Sequence, residues 1–101
     1  MNRRDYLELR KEFDAKFIAG LPDAVKLSRA DFPSSDAALA ALTEELGEVA
    51  RAMLDEDDER VWAECLQLAA TALRLAVEGD PAMASTRKRR RGERDWGGAL
   101  A

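Results

Sequence analysis

The sequence predicts an all-α fold, on three observations. Ala, Leu, Glu and Arg, all helix formers, dominate the chain. No stretch alternates apolar and polar residues as a half-buried strand does. Apolar residues instead recur at intervals of three and four, the spacing that lines one side of a helix. A length of 101 residues allows one domain with a small core, for which self-association is the usual remedy.

The first helix is expected from about Asn2 to Ile18, with Tyr6, Leu9, Phe13 and Phe17 at helical spacing and Gly20 and Pro22 as its stop. The segment from Asp23 to Pro33 has no clear pattern beyond a short helical turn around Ala24 to Leu27. A second helix is expected to start at Ser35 or Asp36, both good N-cap types, and to end near Leu54. Its apolar stripe is Leu39, Leu42, Leu46, Val49 and Met53, the a/d spacing of helices packed nearly parallel or antiparallel. The acidic run from Asp55 to Glu59 makes an exposed turn and suits the N-terminus of the next helix.

A third helix follows from about Asp58 to Glu78 and is ended by Gly79 and Pro81. It is apolar over most of its circumference, which places it centrally in a bundle and argues for a partner chain. Helices two and three thus form a helical hairpin domain that dimerises into a four-helix-bundle core. Trp62 and Cys65 are expected in that core.

Composition limits the chemistry. There is no histidine and a single cysteine, Cys65, which excludes Cys/His zinc sites, internal disulfides and His-based nucleophile systems. Carboxylates, hydroxyls, Lys/Arg or a hard metal ion must do the work. No apolar run is long enough for a membrane helix and the charged N-terminus is unlike a signal peptide, so the expectation is a cytoplasmic protein without membrane contact.

Charge is divided unevenly. From Arg87 onward there are six Lys/Arg and two Asp/Glu, against ten and eighteen in the rest. The division expected is a helical domain over 1–86 and a basic tail over 87–101. An acidic body argues against a general nucleic-acid binder, whose basic footprint lies on the domain itself.

Helix two carries Glu44-Glu45-Leu46-Gly47-Glu48 and helix three Glu64-Cys65-Leu66-Gln67. Glu45 and Glu48 share one face, in a column continued by Ala38, Ala41 and Ala52 that leaves room for a ligand. Glu64 and Gln67 are likewise three apart, and two such facing pairs offer oxygen ligands to Mg²⁺. The spacing suits a plain solvent stripe equally well. Arg60, Glu64, Gln67, Thr71, Arg74 and Glu78 form the one polar strip of helix three, and Thr43, Glu44, Gly47, Arg51 and Asp55 the solvent face of helix two.

Glu-Glu-x-x-Glu followed, after fifteen residues, by Glu-x-x-Gln resembles the signature of MazG-type, all-α nucleoside triphosphate pyrophosphatases. The strings from Leu42 to Ala52 and from Ala63 to Ala70 extend the likeness, which spans about Asp36 to Gly79, under half of the chain. The resemblance implies a Mg²⁺-dependent nucleotide pyrophosphohydrolase that cleaves (d)NTPs to the monophosphate and pyrophosphate. It implies Glu45, Glu48 and Glu64 as metal ligands, with Gln67 where the family normally has Asp. The amide removes one charge and ligates a hard cation more weakly.

Glu44 and Glu45 are the candidates to orient or deprotonate the attacking water. Family members carry a Lys/Arg-rich element after the second acidic helix. Arg87-Lys88-Arg89-Arg90-Arg91 stands in that place, with Lys88 and Arg91 as phosphate-binding candidates and a solvated basic tail as the alternative. Base contacts are expected from the first helix and the loop around Phe32 and Pro33, and Trp96 either stacks on a base or docks on its neighbours. The chain is expected to act as a homodimer or dimer of dimers on a nucleoside triphosphate. The rival expectation is a weakly active or non-enzymatic helical module whose basic tail contacts nucleic acid or another acidic partner.

Overall fold

A computed structural model describes residues 1–81. It is all-helical over these residues, with three helices: α1 (Arg3–Asp31), α2 (Ala38–Leu54) and α3 (Asp58–Glu78). None is long and apolar enough to cross a membrane.

Asn2 caps α1, its Oδ1 accepting the Asp5 N–H at 2.9 Å. The stop expected at Gly20 and Pro22 does not occur: α1 runs through both for 29 residues. A proline inside a helix costs about 3 kcal/mol, through its missing N–H and its clash with the preceding turn. That cost is offset because α3 supplies partners on both sides of Pro22. On the N-terminal side, Phe13 and Phe17 pack edge-on against Trp62, with ring centroids 6.1 and 5.3 Å away. Gly20 lies over Leu66, whose Cδ1 is 3.5 Å from where a Cβ would stand. On the C-terminal side Val25 is buried, and Arg74 donates to the Ser28 carbonyl at 3.0 Å. The helix ends where Pro33 disfavours a helical Phe32.

The start of α2 also departs from expectation. Neither Ser35 nor Asp36 caps it. Its N-cap is Ala37, in the left-handed region at φ 59°, with no capping side chain of its own. The cap comes from far along the chain, where Asp80 accepts the Leu39 N–H at 3.0 Å. Beyond Leu54, residues Asp55–Asp57 connect α2 to α3, with Glu56 left-handed at φ 54°. Asp57 caps α3 by accepting the Arg60 N–H at 3.1 Å, and Arg60 reaches back to Asp55 at 3.1 Å. The far end of α3 closes on Gly79 at φ 80°.

This short turn folds α2 back along α3 as an antiparallel hairpin, while α1 lies parallel to α3 on its other side. Contacts between Phe17 and Trp62 at one end and between Ser28 and Arg74 at the other set that direction. The expected central place of α3 is therefore met within one chain, since α3 packs against both α1 and α2.

The packed face of α2 differs from the stripe read in the sequence. Ala38, Val49 and Ala52 are buried, whereas Leu39, Leu46 and Met53 are 45, 58 and 62% exposed. The helix is rolled so that the small-residue column, Glu45 included, faces α3. The core is slight: among the described residues no large side chain is fully buried.

Candidate functional site

Rolling α2 this way turns a glutamate inward. Glu45 sits one heptad from Ala38 and from Ala52, both buried, and is itself half-buried. Its Oε2 is shielded from solvent and has no hydrogen-bond partner. Burial is the largest cause raising the Glu45 carboxyl above the ordinary carboxylate range; the negative charges of Glu64, Glu44 and Glu48 add to it in that order. Glu64 stands on α3, so the strongest of these fields crosses from the facing helix. A desolvated carboxylate beside three others is an uncompensated negative site, and it attracts a cation or a proton.

The other candidate residues divide. Glu48 and Glu64 are half-buried, as expected of side chains between helices, whereas Glu44 and Gln67 are exposed. Among the described residues no group of three or more Asp, Glu, Cys or His is drawn closely enough together to hold a metal ion. Glu45, Glu48 and Glu64 are neighbours in field and do not form a gathered coordination shell. They are hard oxygen donors of the kind Mg²⁺ takes, and glutamate side chains have the rotamer freedom to converge on an ion. Lys88, Arg91 and Trp96 lie outside the described residues.

The polar strip of α3 is not a plain solvent stripe. At its C-terminal end Arg74 is only 6% exposed. Its Nε and Nη2 bond both carboxylate oxygens of Glu78, at 2.9 and 3.0 Å, while Nη1 reaches the Ser28 carbonyl and hydroxyl. Arg29 of α1 adds a contact to Glu78 at 3.3 Å. The hydrogen bond from Arg74 holds the Glu78 carboxyl below its usual range, against an opposing effect of burial. Two features of this end, the buried Arg74 and the Asp80 cap, have no local signal in the sequence. Arg74 and Glu78 read as an exposed i, i+4 pair until α1 is laid across them.

An open depression of about 330 Å³ lies on α1, lined by Arg4, Leu7, Glu8, Arg10, Lys11 and Asp14 and by none of the carboxylates above. Its charges are mixed, and Lys11 pairs with Glu8 at 3.4 Å. Phe32, in the loop expected to meet a base, is exposed.

No protein-family model, no curated protein and no solved structure matches the chain.

Proposed function

We propose that the chain is a Mg²⁺-dependent nucleoside triphosphate pyrophosphohydrolase of the MazG type, releasing the nucleoside monophosphate and pyrophosphate from (d)NTPs. One observation carries the reading: the Glu45 carboxylate is turned between two helices, its Oε2 unpartnered, in the field of Glu64 opposite. An apo protein gains nothing from this arrangement. Leaving a buried acceptor unpaired costs about 1–3 kcal/mol, and an apolar residue is available at the next position, where Leu46 faces out. A site that keeps this cost is one whose ligand removes it.

In this reading Glu45, Glu48 and Glu64 hold the ion, with Gln67 contributing an amide oxygen at most. Bound Mg²⁺ supplies neutralisation of the phosphates and a lowered pKa for the attacking water. Glu44, exposed one residue before Glu45, would orient the attacking water, and Glu45 would take up its proton. Lys88 and Arg91 contact the substrate phosphates. The protein works as a homodimer or dimer of dimers, a second copy covering what one chain leaves exposed, and its partner is neither a membrane nor a nucleic acid.

A second reading is a nucleotide-binding module with weak turnover. The exposed, neutral Gln67 supports it, since a site with one carboxylate fewer holds Mg²⁺ less tightly. Calorimetric titration with Mg²⁺ tests the metal centre common to both. Wild type is expected to bind, and Glu64→Gln to lose most of the affinity. Equal binding by the two proteins would remove Glu64 from the site.

A further inference from the structure

The outward face of α2 has no occupant within the described chain. Leu39, Leu46, Met53 and Leu54 are 45, 58, 62 and 84% exposed, and no charged residue interrupts them on that face. Three features say what covers it.

First, the face is complementary to itself about its own midpoint, each apolar residue meeting an apolar or small one, as Met53 meets Ala40. Counting inward from both ends, Leu39 matches Leu54, Thr43 matches Ala50, and Leu46 meets Gly47 at the centre. A surface of that kind is complementary to itself when a copy is turned end for end, as an isologous two-fold contact requires. Second, Gly47 has open space where a Cβ would be, with nothing within 4 Å. Glycine inside a helix costs about 1 kcal/mol relative to alanine. Nothing in its own chain needs the missing side chain, whereas a second helix crossing there does. The one hydroxyl on the face, Thr43 Oγ1, already donates to the Leu39 carbonyl at 3.0 Å, so covering it strands no polar atom.

Third, the charges at the edge are complementary. Glu44 and Arg51 lie seven residues apart along the same border of the face. At about 1.5 Å rise per residue, an antiparallel copy centred between Leu46 and Gly47 brings each Glu44 within about 3 Å in height of the other chain's Arg51. The two-fold keeps both residues on the same border, so the pairing forms twice.

We propose that the outward face of α2 docks a second copy of this chain, antiparallel, about a two-fold axis passing between Leu46 and Gly47. The proposal rests on the dimer in the functional reading and specifies its surface. That surface belongs to α2, and α3, already covered on both sides by its own chain, is not where the copies meet.

The test uses cysteine variants of the full chain in a Cys65→Ser background. Helices packed at 8–10 Å hold facing Cα atoms about 4–6 Å apart, within disulfide reach. Gly47→Cys is therefore expected to oxidise to a disulfide-linked dimer. Ala40→Cys alone is expected not to, because its two copies lie about 20 Å apart along the helices. Chains carrying Thr43→Cys mixed with chains carrying Ala50→Cys, which the two-fold sets at equal height near the centre of the face, are expected to cross-link to each other. Leu46→Glu is expected to be a monomer by light scattering with its helix content unchanged. If wild type is a dimer but Gly47→Cys stays reduced and Leu46→Glu stays dimeric, the proposed face is wrong and the dimer itself stands. A wild type that is monomeric up to high concentration overturns both.

Discussion

Replacing Glu45 by glutamine separates a metal site from a chance burial, because the two make opposite claims about stability. Glu45 is half-buried, and its Oε2 has no partner. Charge there is opposed by burial and then by Glu64, Glu44 and Glu48. Glutamine keeps the shape and the polar end but removes the charge, and the partial exposure of Glu45 holds the gain from losing a poorly solvated charge to about 1 kcal/mol. In EDTA at neutral pH, Glu45→Gln is therefore expected to be the more stable protein by about 1 kcal/mol, or roughly 4–8 °C in Tm for a domain of this size. Saturating Mg²⁺ reverses the order. An ion at a hundred times its dissociation constant adds about 2.7 kcal/mol to wild type and little to the variant. Thermal melts of both proteins, with EDTA and with Mg²⁺, give the four values needed. The reasoning is refuted if Glu45→Gln is less stable in EDTA, or if Mg²⁺ raises both proteins equally.

The same physics makes further claims. Arg74→Met keeps the hydrocarbon packing but leaves Glu78 and the Ser28 carbonyl without their main donor, so it is expected to lower stability by about 3 kcal/mol in urea unfolding. Asp80→Ala removes the cap of α2 and is expected to cost about 1 kcal/mol, with exchange protection lost first at the amides following Ala37. The two shifted carboxyls give opposite pH dependences. Glu78, held low by Arg74, contributes stability that is present above the unfolded value of about 4.3 and is lost as pH falls through its depressed folded value. Glu45, held high, favours the fold below about 4.3, and that contribution is lost as pH rises through its raised value. Urea midpoints against pH are thus expected to lose their acid limb in Glu78→Gln and to flatten above pH 4.3 in Glu45→Gln.

Much of this fold is legible locally. The limits of α3 follow from Asp57 and Asp58 at one end and Gly79 and Pro81 at the other, and the acidic turn before it from charge alone. What escapes local reading is set by contacts distant in sequence. Pro22 is a valid stop signal for an isolated helix, yet Trp62, Leu66 and Arg74 hold α1 together across it. Ser35 and Asp36 have capping chemistry, but the position is taken by Asp80, 41 residues beyond Leu39. Periodicity assigned the apolar stripe of α2 to the core, yet of that stripe Val49 is buried while Leu39, Leu46 and Met53 are exposed. It cannot say whether such a surface meets its own chain or another. The carboxylate column, read as flanking the core, is the side that faces α3, and only packing reveals that Glu45 is desolvated. The exposure of Gln67 was equally invisible, because spacing places it beside Glu64 on one face whatever that face meets.

Whether Glu45, Glu48 and Glu64 serve phosphate chemistry can be measured directly. The direct measurement is pyrophosphate release from a panel of (d)NTPs, with products resolved by ³¹P NMR, for wild type, Glu48→Gln and Glu64→Gln. Wild type is expected to form monophosphate and pyrophosphate in a Mg²⁺-dependent way, abolished by EDTA and by either substitution while the helical fold is kept. No turnover of any nucleotide by wild type in Mg²⁺, or unchanged turnover in both variants, would contradict the proposed chemistry.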